Sequence, residues 1–121
     1  MEATFEIANW DEKPFEEWDG GKLTRASVKA TYAGGIQGES LIEYLMSYGP
    51  DGSVTYVGIE RIDGTAADKR GGLVLRHIGS FTDGAAKSDL TVVGGSGDFE
   101  AAAGTGSMVA DPAGRVPLAL S

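Results

Sequence analysis

The chain predicts an all-β fold, an eight-stranded antiparallel up-and-down β-barrel formed by a single domain over residues 1–121. Three observations carry that expectation. Turn-forming sequences recur at Gly34-Gly35, Pro50-Asp51-Gly52, Asp63-Gly64, Asp83-Gly84 and Asp111-Pro112-Ala113-Gly114. Between them lie segments of about ten residues that alternate apolar with polar or small side chains, the period of a half-buried strand. The 19 glycines and the β-branched and aromatic runs disfavour helix, so that only Phe99-Glu100-Ala101-Ala102-Ala103 suits a short helical turn. A meander of this length tends to close on itself, around an interior filled by side chains or by one small ligand.

Composition narrows the function classes. A chain of 121 residues is one domain's worth, and it buries roughly two thirds of its unfolded surface without needing staples. Its 10 basic and 18 acidic residues leave a net charge of −8, which repels nucleic acid and anionic lipid, and no basic patch interrupts it. Nucleic acid and membrane are therefore not expected partners. The absence of cysteine excludes disulfides, thiolate metal sites and thiol nucleophiles. Met1 leads directly into Glu2-Ala3-Thr4-Phe5-Glu6-Ile7 with no basic or apolar leader pattern, so a soluble, cytoplasmic protein is expected.

The expected strands cover residues 3–9, 22–32, 36–48, 53–62, 72–82, 85–95, 104–110 and 115–120. Residues 10–19, rich in acids and aromatics, contain Pro14 and therefore read as a long loop. The loop's Trp10, Phe15 and Trp18 must cover something, either as a plug in one barrel end or as a gate over a pocket.

Turn chemistry sets the faces. A hairpin through Ala33-Gly34-Gly35 that pairs Tyr32 with Ile36 sets Lys29 opposite Glu39 and Arg25 opposite Glu43, charge pairs that belong in solvent. Ala26, Val28, Ala30 and Tyr32 then face inward with Ile36, Gly38, Ser40, Ile42, Tyr44 and Met46. The Gly49-Pro50-Asp51-Gly52-Ser53 connection pairs Gly49 with Ser53, and so Tyr56 with Met46, Gly58 with Tyr44 and Glu60 with Ile42. A type I′ turn at Asp83-Gly84 pairs Thr82 with Ala85 and turns Leu73, Leu75, His77, Gly79 and Phe81 inward beside Ala86, Ser88, Leu90 and Val92. The 62–72 connection is too long to set the next register, but pairing Gly58 with His77 would bring Glu60 and His77 within one diagonal step.

The runs Gly38-Glu39-Ser40-Leu41-Ile42-Glu43-Tyr44-Leu45, Tyr56-Val57-Gly58-Ile59-Glu60-Arg61, Leu75-Arg76-His77-Ile78-Gly79-Ser80-Phe81 and Thr91-Val92-Val93-Gly94-Gly95-Ser96-Gly97 carry a resemblance, as does Asn9-Trp10-Asp11-Glu12-Lys13-Pro14. Together they resemble a bacterial family of uncharacterised domains whose fold is similar to the allene oxide cyclase barrel, a lipocalin-like calycin architecture. The resemblance implies an eight-stranded barrel and no mechanism. Plant allene oxide cyclases cyclise an unstable fatty-acid epoxide largely by holding it in one conformation within an apolar cavity. By analogy, catalysis here would come from steric preorganisation.

The candidate catalytic pair is Glu60 with His77, which could abstract a proton from a carbon acid, protonate an epoxide or carbonyl oxygen, or anchor a hydroxyl. Tyr32, Ser40, Ile42, Tyr44, Met46, Tyr56, Leu75, Phe81, Ser88 and Leu90 are the expected substrate-binding wall, with Tyr44 and Tyr56 as donors to an oxyanion. A filled barrel with a hydrogen-bonded buried glutamate is the competing reading. The inward Gly38, Gly58 and Gly79 favour a cavity by removing side-chain volume.

Gly94-Gly95-Ser96-Gly97 has no helix or lysine after it to complete a phosphate loop, and one histidine among scattered carboxylates has no metal-ligand spacing, so no cofactor and no metal are expected. Ser27, Ser40 and Ser88 lie mid-strand, where no nucleophile elbow forms. The expected activity is a cofactor-independent isomerase or cyclase acting on a small apolar molecule, with a non-catalytic carrier or structural barrel as the alternative. Leu41, Leu45, Val57, Ile59, Val74, Ile78 and Val93 face outward, and a contiguous patch of them implies a homo-oligomer, dimer or trimer.

Overall fold

Alternation over more than ten residues favours long strands paired with their sequence neighbours, and that is what forms. The computed structural model describes residues 2–82, 85–109 and 115–117. Its strands are β1 (Glu2–Trp18), β2 (Gly21–Gly34), β3 (Ile36–Tyr48), β4 (Val54–Ala66), β5 (Lys69–Thr82), β6 (Ala85–Gly97), β7 (Thr105–Val109) and β8 (Arg115–Pro117). Strands β1 to β7 run up and down in one antiparallel sheet, and the short β8 pairs with the outer edge of β1 through Glu2–Thr4. Among the described residues no ladder joins β7 to β8, although the two outer strands run close together. Buried residues of β1 and of β7 share one cluster, Ala3 with Met108, so the sheet is strongly curled. The Asp83-Gly84 and Asp111-Pro112-Ala113-Gly114 turn signals lie outside the described residues.

Three expectations are corrected. Residues 10–18 are not a loop but the second half of β1, paired with β2 through to Trp18 opposite Gly21. Pro14 is accommodated because β1 has no partner on its outer side beyond Thr4 among the described residues, and a register shift lies between Pro14 and Glu16. The 62–72 connection is a tight hairpin: Ala66 pairs with Lys69, and Ala67 takes a left-handed φ of 55°.

The β2–β3 register differs by two residues. Tyr32 pairs with Gly38 rather than Ile36, because Ala33 and Gly34 stay paired with β1 while Ile36 and Gln37 pair with β4. An even shift keeps every side chain on its expected face. Arg25 still reaches Glu43, diagonally, with Nε 3.1 Å from Oε2, whereas Lys29 now faces Leu41.

The two ends of the inner face differ. At the end formed by the β2–β3, β4–β5 and β6–β7 connections, Tyr32, Ile36, Ile62, Ala66, Leu73 and Phe99 pack solidly. At the other end Ala26, Val28, Ile42, Tyr44, Val54 and Tyr56 form a second cluster, edged by Met46 and Tyr48.

Candidate functional site

The predicted β3–β4 register is observed, with Met46 opposite Tyr56, Tyr44 opposite Gly58 and Ile42 opposite Glu60. Asp51 stabilises the turn that sets it: its Oδ1 accepts from Ser53 N at 3.0 Å and from Ser53 Oγ at 2.6 Å. Across β4–β5, Gly58 pairs with His77 and Glu60 with Leu75. Glu60 and His77 therefore meet diagonally on the inner face, 0% and 1% exposed.

The pair forms a short polar chain. Tyr32 donates its hydroxyl to Glu60 Oε2 at 2.7 Å, and Glu60 Oε1 lies 2.7 Å from His77 Nε2. Burial, then the charge of Glu60 and the hydrogen bond to it, push the Tyr32 phenol far above its ordinary value. Burial and the same carboxylate likewise raise Tyr44. Both phenols therefore keep their protons at any ordinary pH. His77 Nδ1 and Ser40 Oγ are buried without a hydrogen-bond partner.

A cavity of about 340 Å³ opens at the less packed end, lined by Phe5, Ile7, Trp10, Val28, Ile42, Tyr44, Met46, Tyr48, Gly52, Val54, Tyr56, Phe81, Ala86 and Met108. Of the predicted binding residues it takes Ile42, Tyr44, Met46, Tyr56 and Phe81. Phe81 is 40% exposed at the mouth rather than buried, since it lies beside the chain reversal. Tyr32, Ser40, Leu75, Ser88 and Leu90 are buried but do not line the cavity. Glu60 and His77 lie beyond its wall, where Tyr44 stands between: its ring meets the His77 ring edge-on, 5.5 Å between centroids and at 89°.

The inward glycines do not add to the cavity. A Cβ on Gly58 would come within 2.6 Å of the Tyr44 ring, and one on Gly79 within 2.5 Å of the Tyr56 ring. Each tyrosine lies across the glycine opposite it and reaches the next strand, Tyr44 towards His77 and Tyr56 to Ser88, with which its hydroxyl forms a short hydrogen bond.

Residues 10–19 contribute more than cover. Trp10 stacks on Tyr44, with centroids 6.0 Å apart at 29°, and donates its indole N–H to Glu12 Oε1 at 3.0 Å. Glu12 also accepts from Thr24 Oγ1 at 2.7 Å and from the Tyr48 hydroxyl in a short bond. Partial burial opposes the charge on Glu12, but the bonds from Tyr48, Thr24 and Trp10 and the Lys22 charge outweigh it and hold its carboxyl below the ordinary value. Tyr48 is pushed up to about 12 by burial and by Glu12. Phe15 and Trp18 do not line this cavity and stay 58% and 52% exposed. The loop assignment leaves Glu12 out of the candidate site, and Tyr48, at the end of the expected 36–48 strand, is not singled out; the signal that could have found them is the alternation of Trp10 and Glu12 in step with Thr24 and Tyr48.

Among the described residues no cluster of three or more His, Asp and Glu side chains is placed to hold a metal ion. No helix among them is long and apolar enough to cross a membrane.

A family model described as "Protein of unknown function (DUF3224)" matches residues 1–121. The chain belongs to the DUF3224 family. A solved DUF3224 protein of unknown function from Shewanella oneidensis MR-1 is similar along 98% of this chain and 96% of its own, with 26% identity and a TM-score of 0.76. No curated protein matches. The DUF3224 meander thus recurs in that relative, and the chemistry of this chain has to be argued from its own side chains.

Proposed function

We propose that this DUF3224 chain holds a small apolar molecule in the cavity beneath Trp10 and acts on it as a cofactor-independent isomerase or cyclase. The observation that carries the reading is the cavity itself: about 340 Å³, walled almost wholly by apolar and aromatic side chains, and bordered by an indole pinned in place by Glu12. Pockets that select small molecules have this character, with few polar groups. The curl of the sheet and the closeness of β7 and β8 support a closed eight-stranded barrel of the allene oxide cyclase kind, in which a ligand is held by shape. The role fits a cytoplasmic protein that needs no cofactor.

Turnover is favoured over mere carriage by the Glu60–His77 pair, polar groups buried one ring away from the cavity. On the outer face Leu45, Val57 and Ile78 stand in one row across β3, β4 and β5, each about half exposed. A second copy of the chain would cover that row, with Arg25, Arg76 and Glu43 beside it as complementary charges.

The test uses Trp10 as reporter in a Trp18→Phe chain, titrated with N-phenyl-1-naphthylamine. Saturable quenching of Trp10 that is lost in Val28→Phe, where the cavity is filled, supports the reading. Quenching unchanged by that substitution overturns it.

A further inference from the structure

Of the two buried atoms without a hydrogen-bond partner, His77 Nδ1 belongs to a ring that is otherwise held firmly. Glu60 fixes its Nε2 side, Tyr32 fixes the other oxygen of Glu60, and Tyr44 meets the ring edge-on. A carboxylate accepting from both neighbours leaves the imidazole hydrogen on Nε2 and a bare lone pair on Nδ1. The opposite tautomer would bury an N–H donor with nothing to receive it, the costlier of the two orphans.

From the cavity, the way to the imidazole runs through Tyr44. Tyr44, Gly58 and His77 lie opposite one another in a single row across β3, β4 and β5. The phenol ring fills the space over Gly58, with the cavity on one side and the imidazole on the other. The hydroxyls of Tyr32, Tyr48 and Tyr56 are all hydrogen-bonded, whereas that of Tyr44 has no bond among the described residues. Turning the Tyr44 ring into the cavity therefore breaks no hydrogen bond. It vacates the space over Gly58, beside the His77 ring.

Resting on the cavity reading above, we propose that His77 Nδ1 is the general base for a small carbonyl compound whose acidic C–H lies between the carbonyl and a carbon–carbon double bond, with Tyr44 as the gate and Glu60 and Tyr32 as positioning residues. Of the three roles open to a Glu–His pair, an unpartnered acceptor selects proton abstraction. Nδ1 takes the α-proton, the C–H electron pair becomes the new carbon–carbon π bond, and the carbonyl pair moves onto oxygen. The imidazolium returns the same proton to the γ-carbon, the carbonyl re-forms, and the double bond ends in conjugation. No oxidant, reductant or second substrate is consumed. Glu60, still accepting from Tyr32, holds the imidazole in the productive tautomer while its charge supports the transient imidazolium.

The chain has one histidine, so the ¹⁵N spectrum of the unmodified protein reads this ring alone. The expected spectrum places hydrogen on Nε2 and none on Nδ1; hydrogen on Nδ1 overturns the proposal without any variant. Turnover is measured with 3-cyclohexen-1-one, whose conversion to 2-cyclohexen-1-one is followed by the absorbance of the conjugated enone. His77→Gln is expected to lose about 100-fold or more in kcat. Glu60→Gln should lower kcat and shift its pH profile, and Tyr44→Ala should raise kcat/KM by opening the gate. Equal rates in the unmodified protein and His77→Gln overturn the assignment. Dye binding at Trp10 without isomerisation removes the base and leaves the cavity reading standing, whereas failure of both removes the cavity as well.

Discussion

The two ends of the inner face use glycine in different ways. At the packed end, glycines let backbones meet: a Cβ on Gly64 would lie 2.0 Å from Gln37 O, and one on Gly95 2.0 Å from Phe99 O. At the cavity end they also seat rings, Tyr44 on Gly58 and Tyr56 on Gly79, beside backbone oxygens at 2.9 Å (Glu43) and 2.5 Å (Lys87) from the same Cβ positions. A backbone cannot step aside, but a ring can rotate. One end is therefore rigid, and the other can change the shape of its wall without disturbing the ladders.

Substitutions at the two ends should separate accordingly. Leu75→Ala, at a residue with no exposed surface in the packed cluster, should cost about 2–5 kcal/mol in urea unfolding, the largest effect. Gly64→Ala should cost about 3 kcal/mol because two backbones must move apart. Gly58→Ala should cost about 2 kcal/mol, less than Gly64→Ala because the Tyr44 ring can turn and Glu43 O lies at 2.9 Å rather than 2.0 Å, and it should also weaken dye binding at Trp10. Equal costs at Gly64 and Gly58 would erase the distinction between the ends.

Acid should act at the cavity end through Glu12. The Glu12 carboxyl is depressed in the folded chain, so its stabilising effect is complete above the unfolded carboxylate range and is lost as the pH falls through the lower folded value. Acidification below about pH 4 should shift Trp10 emission towards that of a solvated indole in the Trp18→Phe chain, and Glu12→Gln should abolish that step. At the small end of the scale, Arg25→Ala removes an exposed pair and should change stability by under about 0.5 kcal/mol in the same urea assay.

What was legible in the sequence follows from which forces act locally. Pro50-Asp51-Gly52 is a self-contained turn, so the β3–β4 register and the inward phase of Glu60 could be read from it. The inward phase of His77 follows from the type I′ signal at Asp83-Gly84 together with the more apolar face of the two strands, and such a phase survives even where the β2–β3 register moves by two. Residues 10–18 were misread because Pro14 argues against a strand unless the chain is known to run along an edge, and edge position is a property of the whole sheet. The seats at Gly58 and Gly79 were misread as empty space, because the rings that fill them come from the neighbouring strand.

The Tyr44–Gly58 seat constrains how this pocket can be remodelled. Exchanging the phenol for a smaller group leaves Gly58 harmless, so the wall can be enlarged by one codon change. Placing a side chain at Gly58 first collides with the ring still resting there and with Glu43 O, so that route passes through a less stable intermediate. Enlargement of this cavity is therefore easiest to reach by changing the tyrosine before the glycine.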